Sequence, residues 1–324
     1  MTRCLCCGKP LTEPEQGAGW HNACIRRFFG TKVLPELDVT DATLIRIAAE
    51  NTSRGFTVPG VQKKMSLHLA EDGDTPRLTL VNYPTGYILK PQTEEYLNLP
   101  EAEYLVMQMA EATGIAVVPY ALIRLSGGEL AYITKRIDRV LPSRKSKTLQ
   151  LLAMEDFCQL DHKLTENKYL GSYERCAKIV SKYSVQPGLD RSELFLRVVF
   201  SFAVGNSDMH LKNFSLIETE AQNGRYVLSR AYDLLPVNVV APEDTEQTAL
   251  TVNGKKRNLH RNDFLKLAQT SEIPAAAAGK LLQRVISMKP TYLRLCETSY
   301  LPEEMKAALA ALIDTRIAAL EPRQ

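Results

Sequence analysis

Asp208 and Asn213 stand in the stretch Gly205-Asn206-Ser207-Asp208-Met209-His210-Leu211-Lys212-Asn213, an Asp-x4-Asn spacing directly after an apolar run over residues 196–204. The run reads as a helix that breaks at the glycine, so these polar side chains belong to a loop. Phosphoryl transfer needs such a set: a carboxylate to orient the attacking hydroxyl, and a hard oxygen ligand for Mg2+. A second metal-binding carboxylate is expected from a short strand soon after the loop, and the segment 226–233 ends in Asp233. Asp208 is therefore the candidate base, with Asn213 and Asp233 as the candidate Mg2+ ligands. Lys212, four residues from the base, suits neutralisation of the transferred phosphate. Any one aspartate is more often an exposed charge or a helix cap; the order of the three residues is what is specific.

Earlier in the chain, Thr57-Val58-Pro59-Gly60-Val61-Gln62-Lys63-Lys64 is a loop whose backbone N–H groups are suited to covering phosphates. Tyr87-Ile88-Leu89-Lys90 is an apolar strand ending in a lysine, from which an ammonium group reaches α- and β-phosphates. Glu103 on the following helix is a candidate partner for Lys90, with Glu94, Glu95 and Glu101 as competitors. A lysine at a strand end also simply snorkels to solvent.

A third constellation lies at the amino terminus. Cys4-x-x-Cys7 and His21-x-x-Cys24 supply two ligand pairs compatible with tetrahedral Zn2+, with Cys6 as a possible substitute. Free thiols packed as small hydrophobes are the competing reading. The basic tail of this knuckle, Arg26-Arg27, reads as a solvated helix face.

The elements that would position these groups follow from pattern. Strands are expected over residues 64–69, 77–81 and 86–90 as an antiparallel meander, then a helix over 101–113 opened by Pro100 and stopped by Gly114. Strands over 120–125 and 130–134 flank the turn Ser126-Gly127-Gly128. A helix is also expected over 41–50. Beyond a basic, turn-rich stretch at 141–147 the pattern is helical, over 154–161, 172–183, 192–204, 261–269, 274–287 and 302–320. The arrangement is α+β in two lobes, with a Cys/His knuckle (residues 1–30), a β-rich N-lobe (31–140) and a mainly helical C-lobe (141–324).

Composition agrees with a globular chain: 45% hydrophobic and 24% charged over 324 residues. A net charge of +3, from 40 basic and 37 acidic residues, excludes a global field for binding DNA. No apolar run reaches the roughly 20 residues of a membrane span, and the start lacks a signal-peptide core, so a cytoplasmic location is expected.

These residues resemble the HipA family of toxin kinases. That family has a Val-x-Gly-x-Gln-x-Lys phosphate loop, an Ile-x-Lys strand, a Glu-Asp-x-Cys-Gln segment, an Asp-x-His-x-Lys-Asn-Phe-Ser catalytic loop and a Tyr-Asp metal motif, in that order. The counterparts here are Val58 to Lys64, Ile88 to Lys90, Glu155-Asp156-Phe157-Cys158-Gln159, Asp208 to Ser215, and Tyr232-Asp233. The resemblance implies a bilobal protein-kinase-like fold and an ATP- and Mg2+-dependent Ser/Thr kinase. Val58, Gly60, Val61, Gln62, Lys64 and Lys90 would contact the phosphates, and Glu155, Phe157 and Gln159 belong to the stretch that holds adenine. His210 braces the catalytic loop and counts among the nucleotide-site residues.

The same resemblance implies phosphorylation of an aminoacyl-tRNA synthetase, growth arrest, and restraint by a HipB-like DNA-binding antitoxin, with DNA contacted only through that antitoxin. Self-modification is expected on Thr57, where the family usually has serine; Ser53 is the alternative. Reaching the phosphate loop by residue 58 makes the chain similar to the short HipT toxins of three-component HipBST systems. For those the implied substrate is tryptophanyl-tRNA synthetase and a small HipS-like protein is a further antitoxin. Two other readings remain open: a small-molecule or lipid kinase, and a non-catalytic nucleotide-binding scaffold acting with an antitoxin in operator repression.

Overall fold

The computed structural model describes residues 2–38, 64–70, 76–79, 86–140 and 150–322. The expected helix at 41–50, Ser53, the loop residues Thr57, Val58, Gly60, Val61 and Gln62, and the basic stretch 141–147 lie outside the described residues. The chain divides into two compact units. Unit 1 comprises Met1–Tyr104 with Val118–Arg136, and unit 2 comprises Leu105–Val117 with Ile137–Gln324.

Unit 1 is built on a six-stranded sheet of β1 (Glu36–Asp38), β2 (Met65–Ala70), β3 (Arg77–Thr79), β4 (Tyr87–Lys90), β5 (Tyr120–Arg124) and β6 (Leu130–Lys135). The strand order is β1-β3-β2-β4-β6-β5, antiparallel throughout except for the parallel pair β1–β3. The first three predicted strands do not form a meander. β4 pairs with β2 rather than β3, which places the fully buried Leu67 in the sheet interior and leaves β3's other edge to β1. β5 and β6 supply a continuous apolar layer, Ala121, Leu122, Ile123, Ala131, Tyr132 and Ile133, all buried. Helix α1 (Asn22–Phe29) puts Phe28 and Phe29 against Trp20 and Tyr87, with ring centroids 4.8–5.9 Å apart. These aromatics make the knuckle residues an integral part of unit 1.

Helix α2 (Leu99–Thr113) is shared by the two units, which divide it after Tyr104. Its acid-bearing first turn and the glycine that follows it match a helix start and stop, and Gly114 has the left-handed φ of +85° that ends helices cheaply only in glycine.

Unit 2 contains a hairpin, β7 (Arg139–Val140) with β8 (Gln150–Leu151), and a three-stranded sheet in the order β11 (Tyr226–Leu228), β10 (Ser215–Glu218), β9 (Met154–Asp156). Residues 154–161 are thus not one helix. Met154–Asp156 pairs with β10, and Asp156 then caps the short α3 (Phe157–Leu160), its Oδ1 accepting from Gln159 N at 2.9 Å. The remaining helices are α4 (Tyr173–Tyr183), α5 (Pro187–Ala203), α6 (Val237–Val240), α7 (Arg261–Thr270), α8 (Ala275–Ser287), α9 (Lys289–Glu297) and α10 (Glu303–Leu320). Helix α9 was not expected: Pro290 reads as a breaker but sits in its first turn, where proline costs no hydrogen bond. Helix α5 is the central element, buried all round over residues 194–203, which fits its unbroken apolar run.

Candidate active site

The Asp208 loop occupies the connection between α5 and β10 in unit 2. It begins at Gly205, whose φ of +72° turns the chain out of the helix. A Cβ at that position would lie 3.0 Å from both terminal methyls of Leu312. Loop and support are tied by polar contacts: Asn238 N donates to the Gly205 carbonyl at 3.0 Å, and Ser207 Oγ donates to Asp244 Oδ2 at 2.6 Å. Tyr173, fully buried, donates its hydroxyl to the Met209 carbonyl at 3.0 Å.

Within the loop, the Asn213 amide donates to the backbone carbonyl of Asp208 at 2.8 Å. That bond uses the nitrogen end of the amide and leaves Oδ1 as the acceptor end, the end a hard cation takes. The Asp208 carboxylate is partly exposed, accepts the Tyr169 hydroxyl at 2.5 Å and lies 4.0 Å from His210 Nε2. Burial of the site raises its pKa above the usual carboxylate range; Tyr169 and Lys168 pull it down, and the charges of Asp233 and Asp244 push it up. Asp233 follows β11 and takes a φ of +55°, a left-handed conformation that aspartate adopts more readily than bulky residues. Its neighbour Tyr232 shares a 2.5 Å hydrogen bond with Ser215 Oγ and donates to the Lys212 carbonyl at 3.2 Å, joining the Tyr-Asp segment to the Asp208 loop. Asn213 is thus bonded to the Asp208 backbone, and Tyr232, next to Asp233, is bonded to the same loop through the Lys212 carbonyl.

Other sequence-derived candidates have definite places. Lys212 is paired with Asp156 at 2.7 Å. Phe157 is fully buried and stacks on Phe214, with centroids 5.6 Å apart, and the Gln159 side chain accepts from Asp156 N at 3.2 Å in the cap of α3. Glu155 is exposed on β9, opposite Leu216 of β10. His210 is buried, with Tyr169 edge-on at 5.1 Å.

In unit 1, Lys90 pairs with Glu103 rather than with its three competitors: Nζ donates to Oε1 at 2.6 Å, and both side chains are almost fully buried. The Lys90 ammonium also lies 5.3 Å from the Tyr132 ring centroid. The β2–β4 register, Met65 opposite Leu89, brings the exposed Lys64 to the Lys90 end of β4. Burying an ion pair is costly in desolvation, which the close 2.6 Å contact offsets.

Residues that the sequence reading missed are Lys168, Tyr169 and Asp244. They flank Asp208 from loops 39 residues before it and 36 after, and no motif spacing connects them to it.

Among known proteins, the family model described as HipA-like C-terminal domain matches residues 56–291. A Haemophilus influenzae protein named "Putative kinase" is 27% identical over 258 residues, covering 78% of this chain and 73% of the relative. A Sinorhizobium fredii protein named "Putative kinase Y4dM" is 30% identical over 242 residues, covering 70% of this chain and 56% of the relative. Of solved structures, HipA in the Shewanella oneidensis complex of HipA, HipB and operator DNA superposes with a TM-score of 0.65 at 18% identity, covering 82% of this chain and 64% of that one. The Helicobacter pylori proinflammatory kinase CtkA gives a TM-score of 0.53 at 14% identity, covering 79% and 93%. At these identities the two structures establish the fold, which is α+β and kinase-like.

Proposed function

This chain belongs to the HipA-like C-terminal domain family, and on that premise we propose that it is an ATP-dependent Ser/Thr protein kinase acting as the toxin of a bacterial toxin–antitoxin system. One observation carries the reading. The Asn213 amide holds the backbone of Asp208, and Tyr232, next to Asp233, bonds to the Lys212 carbonyl of the same loop, which supports Asp208 as base with Asn213 and Asp233 as metal ligands. The family relatives named as kinases support the same chemistry.

The residues divide the work as follows. Asp208 accepts the proton of the attacking hydroxyl and orients it. Asn213 and Asp233 would hold Mg2+, which would neutralise charge on the phosphate oxygens. Glu103 fixes the Lys90 ammonium for the nucleotide phosphates, with Lys64 and the loop of Val58, Gly60, Val61 and Gln62 as further phosphate contacts. Lys212, paired with Asp156 at 2.7 Å, would neutralise the transferred phosphate, and His210, its Nε2 4.0 Å from Asp208 Oδ1, braces the loop. Thr57, ahead of the phosphate loop, is the self-modification site; a phosphate dianion there would be repelled by ATP.

For substrate and partners, we propose an aminoacyl-tRNA synthetase, specifically the tryptophanyl enzyme, a HipB-like antitoxin through which DNA is reached, and a HipS-like small antitoxin. The Shewanella HipA complex with HipB and DNA supports the first of these antitoxins.

Incubating the full chain with γ-labelled ATP, Mg2+ and tryptophanyl-tRNA synthetase tests the reading. Label should pass to the synthetase and be lost with Asp233→Asn. Label on lipids or small alcohols instead would assign a different kinase, and growth arrest undiminished by Asp233→Asn, without label anywhere, would assign the scaffold.

A further inference from the structure

Unit 1 carries a second cluster that phosphotransfer does not use. Cys4, Cys7, His21 and Cys24 each offer one ligand atom, and all four atoms lie within 4.8 Å of one another. His21 Nδ1 is 3.3 Å from Cys7 Sγ and 3.8 Å from Cys24 Sγ. In a tetrahedral site with Zn–S of about 2.3 Å and Zn–N of about 2.0 Å, neighbouring ligand atoms are separated by roughly 3.5–3.8 Å.

The surroundings prepare these atoms as ligands. His21 Nε2 lies 2.9 Å from the Pro10 carbonyl. A carbonyl only accepts, so Nε2 carries the proton and Nδ1 turns its lone pair toward the sulfurs, the outer hydrogen bond that metal-bound imidazoles make. His21 caps α1 and Cys24 sits in its first turn, so the start of the helix sets the spacing of this ligand pair. Cys4 and Cys7 flank a turn closed by Gly8 N–H to the Cys4 carbonyl at 2.8 Å, and His21 N–H points to Cys4 Sγ at 3.4 Å. Cys6 adjoins Cys24 but lies outside the set of four, its sulfur accepting from Arg27 Nη2 at 3.9 Å.

We infer that Cys4, Cys7, His21 and Cys24 form a closed, structural zinc centre that clamps the amino-terminal segment onto the edge of the unit 1 sheet. Three sulfurs and one imidazole complete the tetrahedron, so no position remains for substrate or catalytic water. The clamped segment meets β5, the edge strand, where Leu122 N–H donates to the Leu5 carbonyl at 2.8 Å. An edge strand otherwise presents open hydrogen-bonding groups to other chains, and the knuckle covers part of that edge.

The full-length chain, purified without chelator, should contain one zinc per molecule by elemental mass spectrometry and release it when its thiols are mercurated. Replacement by Co2+ should give the visible ligand-field bands of a tetrahedral ion and a thiolate charge-transfer band. Cys7→Ser should weaken Co2+ binding by at least about tenfold, whereas Cys6→Ser should leave it unchanged. Since Cys7→Ser alone risks misfolding, His21→Cys is the second arm: it should retain Co2+ and strengthen the charge-transfer band. Removing the metal should accelerate hydrogen exchange at the Leu122 amide. Far less than one zinc per chain with no cobalt spectrum, or equal loss of metal from Cys6→Ser and Cys7→Ser, would overturn the site, and unchanged Leu122 exchange would overturn the clamp.

Discussion

The Tyr169 hydroxyl donates a 2.5 Å hydrogen bond to Oδ1 of Asp208, the carboxylate proposed as the base. A donor at that distance favours the ionised form of the base. It opposes the burial and the like charges of Asp233 and Asp244, which together hold the Asp208 pKa above its ordinary value.

The balance predicts a pair of opposite pH effects on phosphotransfer. A base is active when ionised, so activity should fall as pH drops through the Asp208 pKa, at a higher pH than an unperturbed aspartate near about 3.9 would give. Tyr169→Phe removes the donor and should move this acid limb upward. Asp244→Asn removes a repelling charge while keeping an acceptor for Ser207, and should move it downward. Profiles of kcat/KM for both variants check this; limbs moving in the same direction would remove Asp208 from the role of base.

Truncating the base and weakening the metal ligands should have distinct kinetic signatures. Asp208→Ala is expected to reduce kcat by roughly 10²–10⁴-fold, the usual contribution of a positioned general base. Asn213→Ala and Asp233→Asn should instead raise the Mg2+ concentration needed for half-maximal rate. A Mg2+ titration at saturating ATP separates the two classes, and an Asp208→Ala enzyme with wild-type kcat would refute the assignment.

The Lys90–Glu103 pair separates stability from function. Glu103→Ala leaves a buried ammonium without its carboxylate and should destabilise unit 1 by about 3–5 kcal/mol. The double variant Lys90→Met with Glu103→Leu replaces both charges by apolar groups of similar length and should restore most of that stability. Phosphotransfer should stay abolished in both. Urea unfolding with a parallel kinase assay reads this out; recovery of activity by the double variant would exclude a phosphate-binding role for Lys90.

Much of this was legible in the sequence because it is local. The Asp208–Asn213 spacing, the lysine ending β4 and the Cys4/Cys7 and His21/Cys24 pairs each lie within a few residues of chain. Strand order was not legible: nothing in residues 77–79 says that β3 lies outside β2, since that depends on β1 adding in parallel. Met154–Asp156 read as helix because a three-residue apolar-polar pattern fits both periods, and pairing with β10 decided it. Lys168, Tyr169 and Asp244 escaped for the same reason. Their relation to Asp208 exists only in three dimensions, through loops whose residues have no period.

Gly205 illustrates how far the catalytic loop depends on a backbone feature. Its φ of +72° costs a residue with a Cβ about 1–2 kcal/mol, and the Cβ would press on both Leu312 methyls at 3.0 Å, an overpacking worth roughly 1–3 kcal/mol. Gly205→Ala should therefore lower stability by about 2–5 kcal/mol and displace Asp208, lowering kcat. Leu312→Ala opens the space without relieving the dihedral. In the double variant the crowding is removed and the strain stays, so a double-mutant cycle should show a favourable coupling on the order of 1 kcal/mol, with kcat recovering only in part. Strict additivity would mean that Leu312 moves aside at no cost and that the backbone alone requires glycine. A Gly205→Ala protein as stable as wild type would mean that neither constraint operates, and that the α5-to-loop turn is set elsewhere, through the Asn238 bond to the Gly205 carbonyl.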